Sequence, residues 1–331
     1  MFLIDSYAAA IVLCIITMFC WGSWPNTQKL TSRGWRFELF YWDYIIGILL
    51  FNTLFALTMG NYGHTGRSFF HDLSFIQVEN VYHAMLSGTL FNLANILFVA
   101  AITYAGMAVA FPVGGGLALT IGVIVNYMAA PEKNAMAIFS GVSLILAAMI
   151  CSGLSYRYKS NKDFKISPKG IVLAIVAGIL FGFFYRFLAK SIAGNFENPE
   201  TTRFTPYTAL VFFALGALAS NFLFNTLLMR YPLQGAPVNL KNYTQGKMKD
   251  HWLGIAGGMI WGMGLSFNIL SSGQVGYAIS FGLSQGNAMI AAIWGVFLWK
   301  EFSHSDGRTK IILSLMFSFY IAGIVVLALA R

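Results

Sequence analysis

Charge is what this sequence has least of. Only 10% of its 331 residues are Asp, Glu, Lys or Arg, against about 25% in an average soluble domain. The hydrophobic 57% is more than a soluble fold could cover, which excludes a cytosolic enzyme carrying one membrane anchor. Cysteine is almost as scarce. Cys14, Cys20 and Cys151 all fall inside apolar runs and are odd in number, which excludes a disulfide framework and a CxxC metal site. The five histidines (His64, His71, His83, His251, His304) fall in predicted loops or at the ends of apolar runs. No His/Cys/Asp/Glu set has ligand spacing, so no metal or other cofactor is expected. The first 20 residues hold Asp5 and no basic stretch, so no cleavable signal peptide is expected.

What the chain has instead is apolar sequence in long runs, at a mean hydropathy of +0.68. About 20 apolar residues are needed to cross ~30 Å of hydrocarbon as a helix. Breaks at charged or Pro/Asn/Gly clusters predict ten spans. They run over 7–30, 37–59, 80–102, 105–129, 135–155, 169–192, 204–229, 252–272, 275–299 and 309–330. A transmembrane β-barrel would alternate in short segments, whereas ILFVAAITYAGMAVAF (96–111) is apolar on all sides. The predicted fold is therefore an all-α integral membrane protein of ten transmembrane helices.

The net charge is +9. In a soluble protein that would point to nucleic acid, but here the basic residues sit in the breaks between apolar runs. No nucleic-acid partner is expected; the natural partner of these residues is anionic membrane lipid. Loops after spans 1, 5, 7 and 9 carry 15 Lys and Arg, including Lys162 and Lys165. The opposite side carries 5: Arg67, Lys133, Lys190, Arg203 and Arg331. That asymmetry predicts both termini outside the cytoplasm.

The second half of the chain lays over the first. Gly106-Met-Ala-Val-Ala-Phe111 matches Gly276-Tyr-Ala-Ile-Ser-Phe281, and Gly116-x-Ala118 matches Gly286-x-Ala288. WGSWPNTQK (21–29) matches 181–189 through its aromatic–Gly pair. The expected organisation is two five-helix repeats, 1–160 and 161–331. An odd number of spans per repeat inverts one against the other, the design of alternating-access carriers with a midplane site.

Small residues at i, i+4, i+8 (Gly254, Gly258 and Gly262; Gly114, Ala118 and Gly122; Gly178 and Gly182) mark close helix packing. Polar residues within spans are more telling, because lipid offers them no partners. Asn92 and Asn95 share a face of span 3. Ser280, Ser284 and Asn287 form a stripe on span 9 flanked by Gln285. Span 8 offers Trp261 and Asn268, with Ser266 nearby. Amides both donate and accept, which suits a neutral ligand with amide or hydroxyl groups. Trp21, Trp24 and Gln28 on span 1, and Phe181, Phe184 and Tyr185 on span 6, could stack a flat ring. For any one of these, hydrogen bonding or packing between helices is the competing explanation.

A carboxyl that carries a coupling proton must titrate within the membrane. Arg186 lies deep in span 6 but stays protonated, and Glu79 is at the rim. Glu38 and Asp43 remain, and Asp43 is the deeper. An ion pair from Lys29 to Asp43, fixing spans 1 and 2, competes with that role, and sodium competes with the proton. Gly282-Leu-Ser284-Gln-Gly286 fits GxSxG, but it sits inside an apolar helix with no His base, so no hydrolase, and no enzyme, is expected. Asn242-Tyr-Thr244 fits a glycosylation site but falls in a loop assigned to the cytoplasm.

WGSWPNTQKL (21–30), FYWDY (40–44), the Asn92/Asn95 pair, AFPVGGGLALTIGVIVNY (110–127) and Phe139-Ser-Gly141-Val142 resemble the ureide permease family of the drug/metabolite transporter superfamily. Glucose/ribose porters and rhamnose symporters share the Gly-rich fourth span. Plant ureide permeases carry a longer central loop with a phosphate-loop-like signature; residues 156–169 are short here and contain no GxxxxGK[ST]. The resemblance implies proton-driven uptake of an allantoin-like ureide or a nucleobase. The reading is a secondary active transporter for a small neutral polar metabolite, in the inner membrane of a bacterium, with a homo-oligomer left open. A sugar porter is the alternative, and a drug or metabolite exporter the next.

Overall fold

The structure is a computed structural model, and it describes residues 1–159, 167–303 and 305–330. Lys162, Lys165, His304 and Arg331 lie outside the described residues. Among those described, ten helices are long and apolar enough to cross a membrane. The first five are α1 (Tyr7–Lys29), α2 (Phe37–Leu57), α3 (Val78–Ala105), α4 (Met107–Ala129) and α5 (Ala135–Lys159). The others are α6 (Pro168–Ser191), α7 (Pro206–Arg230), α8 (Met248–Val275), α9 (Tyr277–Leu298) and α10 (Gly307–Ala328). Every span expected from the sequence is present, with ends that differ by a few residues.

Local chemistry explains several of those ends. Ser6 caps α1 by accepting from the Ala9 N–H, and Asp306 caps α10 by accepting from the N–H and hydroxyl of Thr309. Pro206 occupies the first turn of α7, where a missing N–H costs nothing. Two connections have almost no loop. Gly106 (φ +72°) joins α3 to α4, and Gly276 (φ +85°) joins α8 to α9. Only glycine adopts that backbone cheaply. A Cβ on Gly276 would also run into the Glu132 carboxylate.

Helices α4 and α9 are both irregular. Pro112 lacks the N–H that an α-helical ladder needs, and Phe111–Gly115 forms a π turn around it. Helix α9 breaks at Gln285 and Gly286 and ends in a second π turn, Trp294–Leu298.

The chain divides into two compact units. Unit 1 joins Met1–Leu93 to Phe184–Gln274, and unit 2 joins Ala94–Phe183 to Val275–Arg331. Each unit thus draws on both halves of the sequence. In unit 1 the glycines expected to mark packing let backbones touch. A Cβ on Gly258 would run into the Tyr44 carbonyl oxygen, and one on Gly254 into the Asp43 side chain, which locks α8 against α2. Gly88 and Gly216 do the same between α3 and α7. In unit 2, a Cβ on Gly178 would lie 2.6 Å from the Gly114 carbonyl oxygen, bringing α6 onto α4. Gly141 and Gly323 face each other's carbonyl oxygens between α5 and α10. Without a hydrophobic drive between helices in lipid, this close approach supplies the van der Waals contact that holds them.

Candidate functional site

In unit 1 the aromatic residues expected to line a site pack on one another. Trp21 and Trp261 stack at 5.5 Å and 8° between rings, and the Trp21 indole N–H donates to the Trp261 carbonyl oxygen at 3.2 Å. Phe91 lies against Trp261 at 4.0 Å, with Phe213 and Phe184 alongside. Trp24 stands apart, tilted on Tyr44 at 4.5 Å. Tyr185 is fully buried, beside Phe184. Phe181 falls in unit 2, edge-on to Phe98. Gln28 is half-buried in the last turn of α1, and Lys29 next to it is exposed.

The polar residues separate by unit too. Asn92 and Asn268 belong to unit 1, and both are fully buried. The Asn92 amide N–H donates to the Ser220 hydroxyl at 2.9 Å. Asn95, one turn on from Asn92, belongs to unit 2 and is buried there. Ser280 and Ser284 do not present free hydroxyl donors. Each donates back to a carbonyl of its own helix, Ser280 to Tyr277 (3.3 Å) and Ser284 to Phe281 (2.6 Å). Gln285 lies in the break of α9 and Asn287 directly after it, both half-buried. Ser266 donates to the side chain of Asn52 at 3.0 Å.

Asp43 lies six residues into α2 with both carboxylate oxygens engaged. The Tyr243 hydroxyl donates to one at 2.6 Å, and His251 Nδ1 lies 2.9 Å from the other. Trp35 packs against both partners. Burial, and the bond to Asp43, push the Tyr243 hydroxyl well above its ordinary value, so it remains a donor. Glu38 is committed elsewhere: Arg36 forks onto its carboxylate at 2.5 and 3.2 Å. Arg186 is half-buried, five residues before the end of α6.

Asn52, Asn221, Asn225, Tyr243, His251 and Glu132 did not stand out in the sequence. The three asparagines are buried amides within apolar helices, so the reasoning that selected Asn92 applies equally to them. His251 and Tyr243 carry no local signal; only folding brings them to Asp43. Two cavities, about 190 Å³ beside Pro112 and Arg157 and about 340 Å³ beside Ile4, Phe196 and Gln274, are lined by other residues.

Glu132, in the loop between α4 and α5, accepts from the Ala278 N–H at 2.8 Å and so caps the start of α9. Its other carboxylate oxygen is buried without a partner among the described residues. Burial pushes this carboxyl up to about 7, against the N–H groups of Ala278 and Ile279, which favour the anion. A carboxyl raised in the fold binds its proton more tightly there than in the unfolded chain. Its contribution to stability is therefore full below the ordinary value of 4.5 and is lost as pH rises through about 7. Thermal unfolding in detergent should show a higher midpoint at pH 5 than at pH 8, and Glu132→Gln should flatten that difference. An unchanged pH dependence in Glu132→Gln would assign it to other groups.

Comparison with known proteins covers nearly the whole chain. A family model described as ureide permease matches residues 40–168 and 165–330. Ureide permease 1 of Arabidopsis thaliana is 25% identical, over 99% of this chain and 98% of that protein. Ureide permease 2 of the same plant is 23% identical over the same shares. The probable ureide permease A3 of Vigna unguiculata is 23% identical over 93% of this chain and 100% of its own. One solved protein crystal structure superposes with a TM-score of 0.60 at 15% identity, covering 97% of this chain and 96% of that one, a likeness of fold alone.

Proposed function

Because the chain belongs to the ureide permease family, we propose that it is a secondary active permease that takes up a small neutral ureide or nucleobase, driven by protons. The observation that carries this reading is the extent of the kinship, 99% of this chain against 98% of a named ureide permease. The buried amides support the same substrate class, since a neutral ligand with N–H and C=O groups can exchange hydrogen bonds with them. Trp21, Trp24, Gln28, Asn92, Asn95, Tyr185, Trp261, Asn268, Ser284, Gln285 and Asn287 are the side chains we assign to substrate. Asp43 is assigned the coupling proton.

Within this reading, 1–160 and 161–331 act as inverted five-helix repeats of the drug/metabolite transporter type. Supporting it, the left-handed hinges Gly106 and Gly276 are 170 residues apart in sequence. The same offset carries the end of the π turn in α4, at Gly114 to Gly116, onto the break in α9, at Ser284 to Gly286. Discontinuous helices at corresponding places in two halves are what such carriers use to build their sites. Basic-residue counts support termini outside the cytoplasm, in a plasma membrane where anionic headgroups meet the basic loops.

Uptake into proteoliposomes tests the substrate. Labelled allantoin or uracil should accumulate under an inward proton gradient, and labelled glucose and rhamnose should not. Accumulation of a sugar alone would make the protein a sugar porter. In the same vesicles, cysteines placed in 60–66 should react with an impermeant reagent only from the face that bears the termini. Those placed in 232–236 should react only from the other.

A further inference from the structure

Helix α7 carries two asparagines one turn apart, Asn221 and Asn225, and both are fully buried. Asn225 donates its amide N–H to the Glu38 carbonyl oxygen at 2.9 Å, which leaves its own oxygen without a partner. Among the described residues, Asn221 has no partner for either end of its amide. Since both ends are open, exchanging N and O in its placement would change nothing. Ser220, the preceding residue, accepts from Asn92 at 2.9 Å, and the Asn92 oxygen is open as well. All three asparagines belong to unit 1. Asn221 is fifteen residues from the start of α7 and Asn92 fourteen from the start of α3, about 21–23 Å along each at 1.5 Å per residue.

An open amide inside an apolar helix bundle is costly, because neither water nor lipid supplies the missing bond. Native structures leave few such groups, and those they keep call for a reason. Among these three asparagines the open atoms are three acceptors (Asn92, Asn221 and Asn225 oxygens) and one donor, the Asn221 NH₂. That excess of acceptors fits a ligand richer in N–H than in C=O, as a urea group is. A primary amide can also close a two-bond ring on an adjacent N–H and C=O, accepting from the first and donating to the second. A sugar hydroxyl presents no such fixed edge.

We propose that Asn221, with Asn92 beside Ser220, reads the N–H/C=O edge of a ureido or lactam group on the transported molecule. The inference rests on the permease reading above and names the chemistry its site selects. The discriminating variant is Asn221→Leu, of similar volume and without polar atoms. If the amide had no ligand, removing two unsatisfied atoms would be neutral or stabilising and nothing else would change. With a ligand, the variant should melt at or above the wild-type temperature in detergent yet bind labelled allantoin or uracil about tenfold or more weakly. The preference for uracil over 1,3-dimethyluracil, which has no N–H, should shrink to near parity. Should the leucine variant fail to fold, Asn221→Ala is measured in its place against the same two ligands. A folded variant that binds and discriminates like wild type overturns the assignment while leaving the permease intact. A wild-type protein that binds neither allantoin nor uracil overturns the ureide reading, and this inference with it.

Discussion

Proteoliposomes holding Asp43→Asn should exchange labelled for unlabelled ureide at near wild-type rates and yet accumulate none under an inward proton gradient. A coupling group must gain and lose a proton inside the membrane, and Asp43 lies about 9 Å into α2, 2% exposed. Its two partners make that proton consequential. One proton can be shared across the 2.9 Å contact between its carboxylate and the His251 imidazole at the start of α8. The Tyr243 bond at 2.6 Å ties the same carboxylate to the segment between α7 and α8. Adding or removing that proton therefore changes the bonds that hold three parts of unit 1 together, the local event an alternating carrier needs. Asparagine keeps the size of the side chain and an oxygen for Tyr243, but an amide cannot titrate. The accumulation ratio should fall to one, and exchange, which needs no net proton movement, should persist. His251→Asn should retain some accumulation, because Asp43 keeps its carboxyl and its bond from Tyr243. If Asp43→Asn still concentrates substrate, Asp43 is a structural tie and the driving ion, sodium among the candidates, binds elsewhere.

Arg67→Ala should cost about 3–5 kcal/mol of stability, read as a lowered unfolding midpoint and a shorter half-life at elevated temperature in detergent. Arg67 sits in the segment between α2 and α3, nearly buried, with its guanidinium 2.5 Å from the fully buried Asp72 carboxylate. Its remaining N–H groups donate to the carbonyl oxygens of Pro199, Glu200 and Arg203. The second Asp72 oxygen accepts from the N–H and hydroxyl of Thr205, the residue that opens α7. One buried pair thus satisfies the backbone of the loop between α6 and α7 and fixes Thr205 where α7 begins. Removing the guanidinium leaves a buried carboxylate without its countercharge, along with three orphaned carbonyls. Arg67→Lys should recover only part of the loss, because an ammonium cannot reproduce the planar fork. Unfolding of Arg67→Ala at the wild-type temperature would mean that water replaces the guanidinium at no cost.

How much of this was legible beforehand differs residue by residue. The ten spans were, because each must satisfy its own backbone in hydrocarbon and therefore announces itself as a local run of apolar residues. One boundary shows where that logic stops. Lys249 and Asp250 resemble a loop, so the eighth span was expected to begin at 252 and His251 to lie outside it. In the fold α8 begins at Met248, because Asp250 is taken up by a bond from the Ser32 N–H and the helix can extend past it. The serines of α9 show a different limit, because whether a hydroxyl bonds a ligand or its own helix is a rotamer choice that spacing does not encode.

By itself the sequence determined the class of molecule, the number and approximate ends of its helices, the glycines where helices meet, and a family kinship carried by contiguous motifs. All of these depend on neighbours within a few turns. Only the tertiary structure decided which buried polar groups find partners. Asp43 meets Tyr243 and His251 some 200 residues away, and Trp21 stacks on Trp261 across 240. Asn221 meets no partner among the described residues. In a bundle of helices that look alike to lipid, pairing is settled by close packing at small residues and by the bonds that packing permits, and neither is written in any one helix.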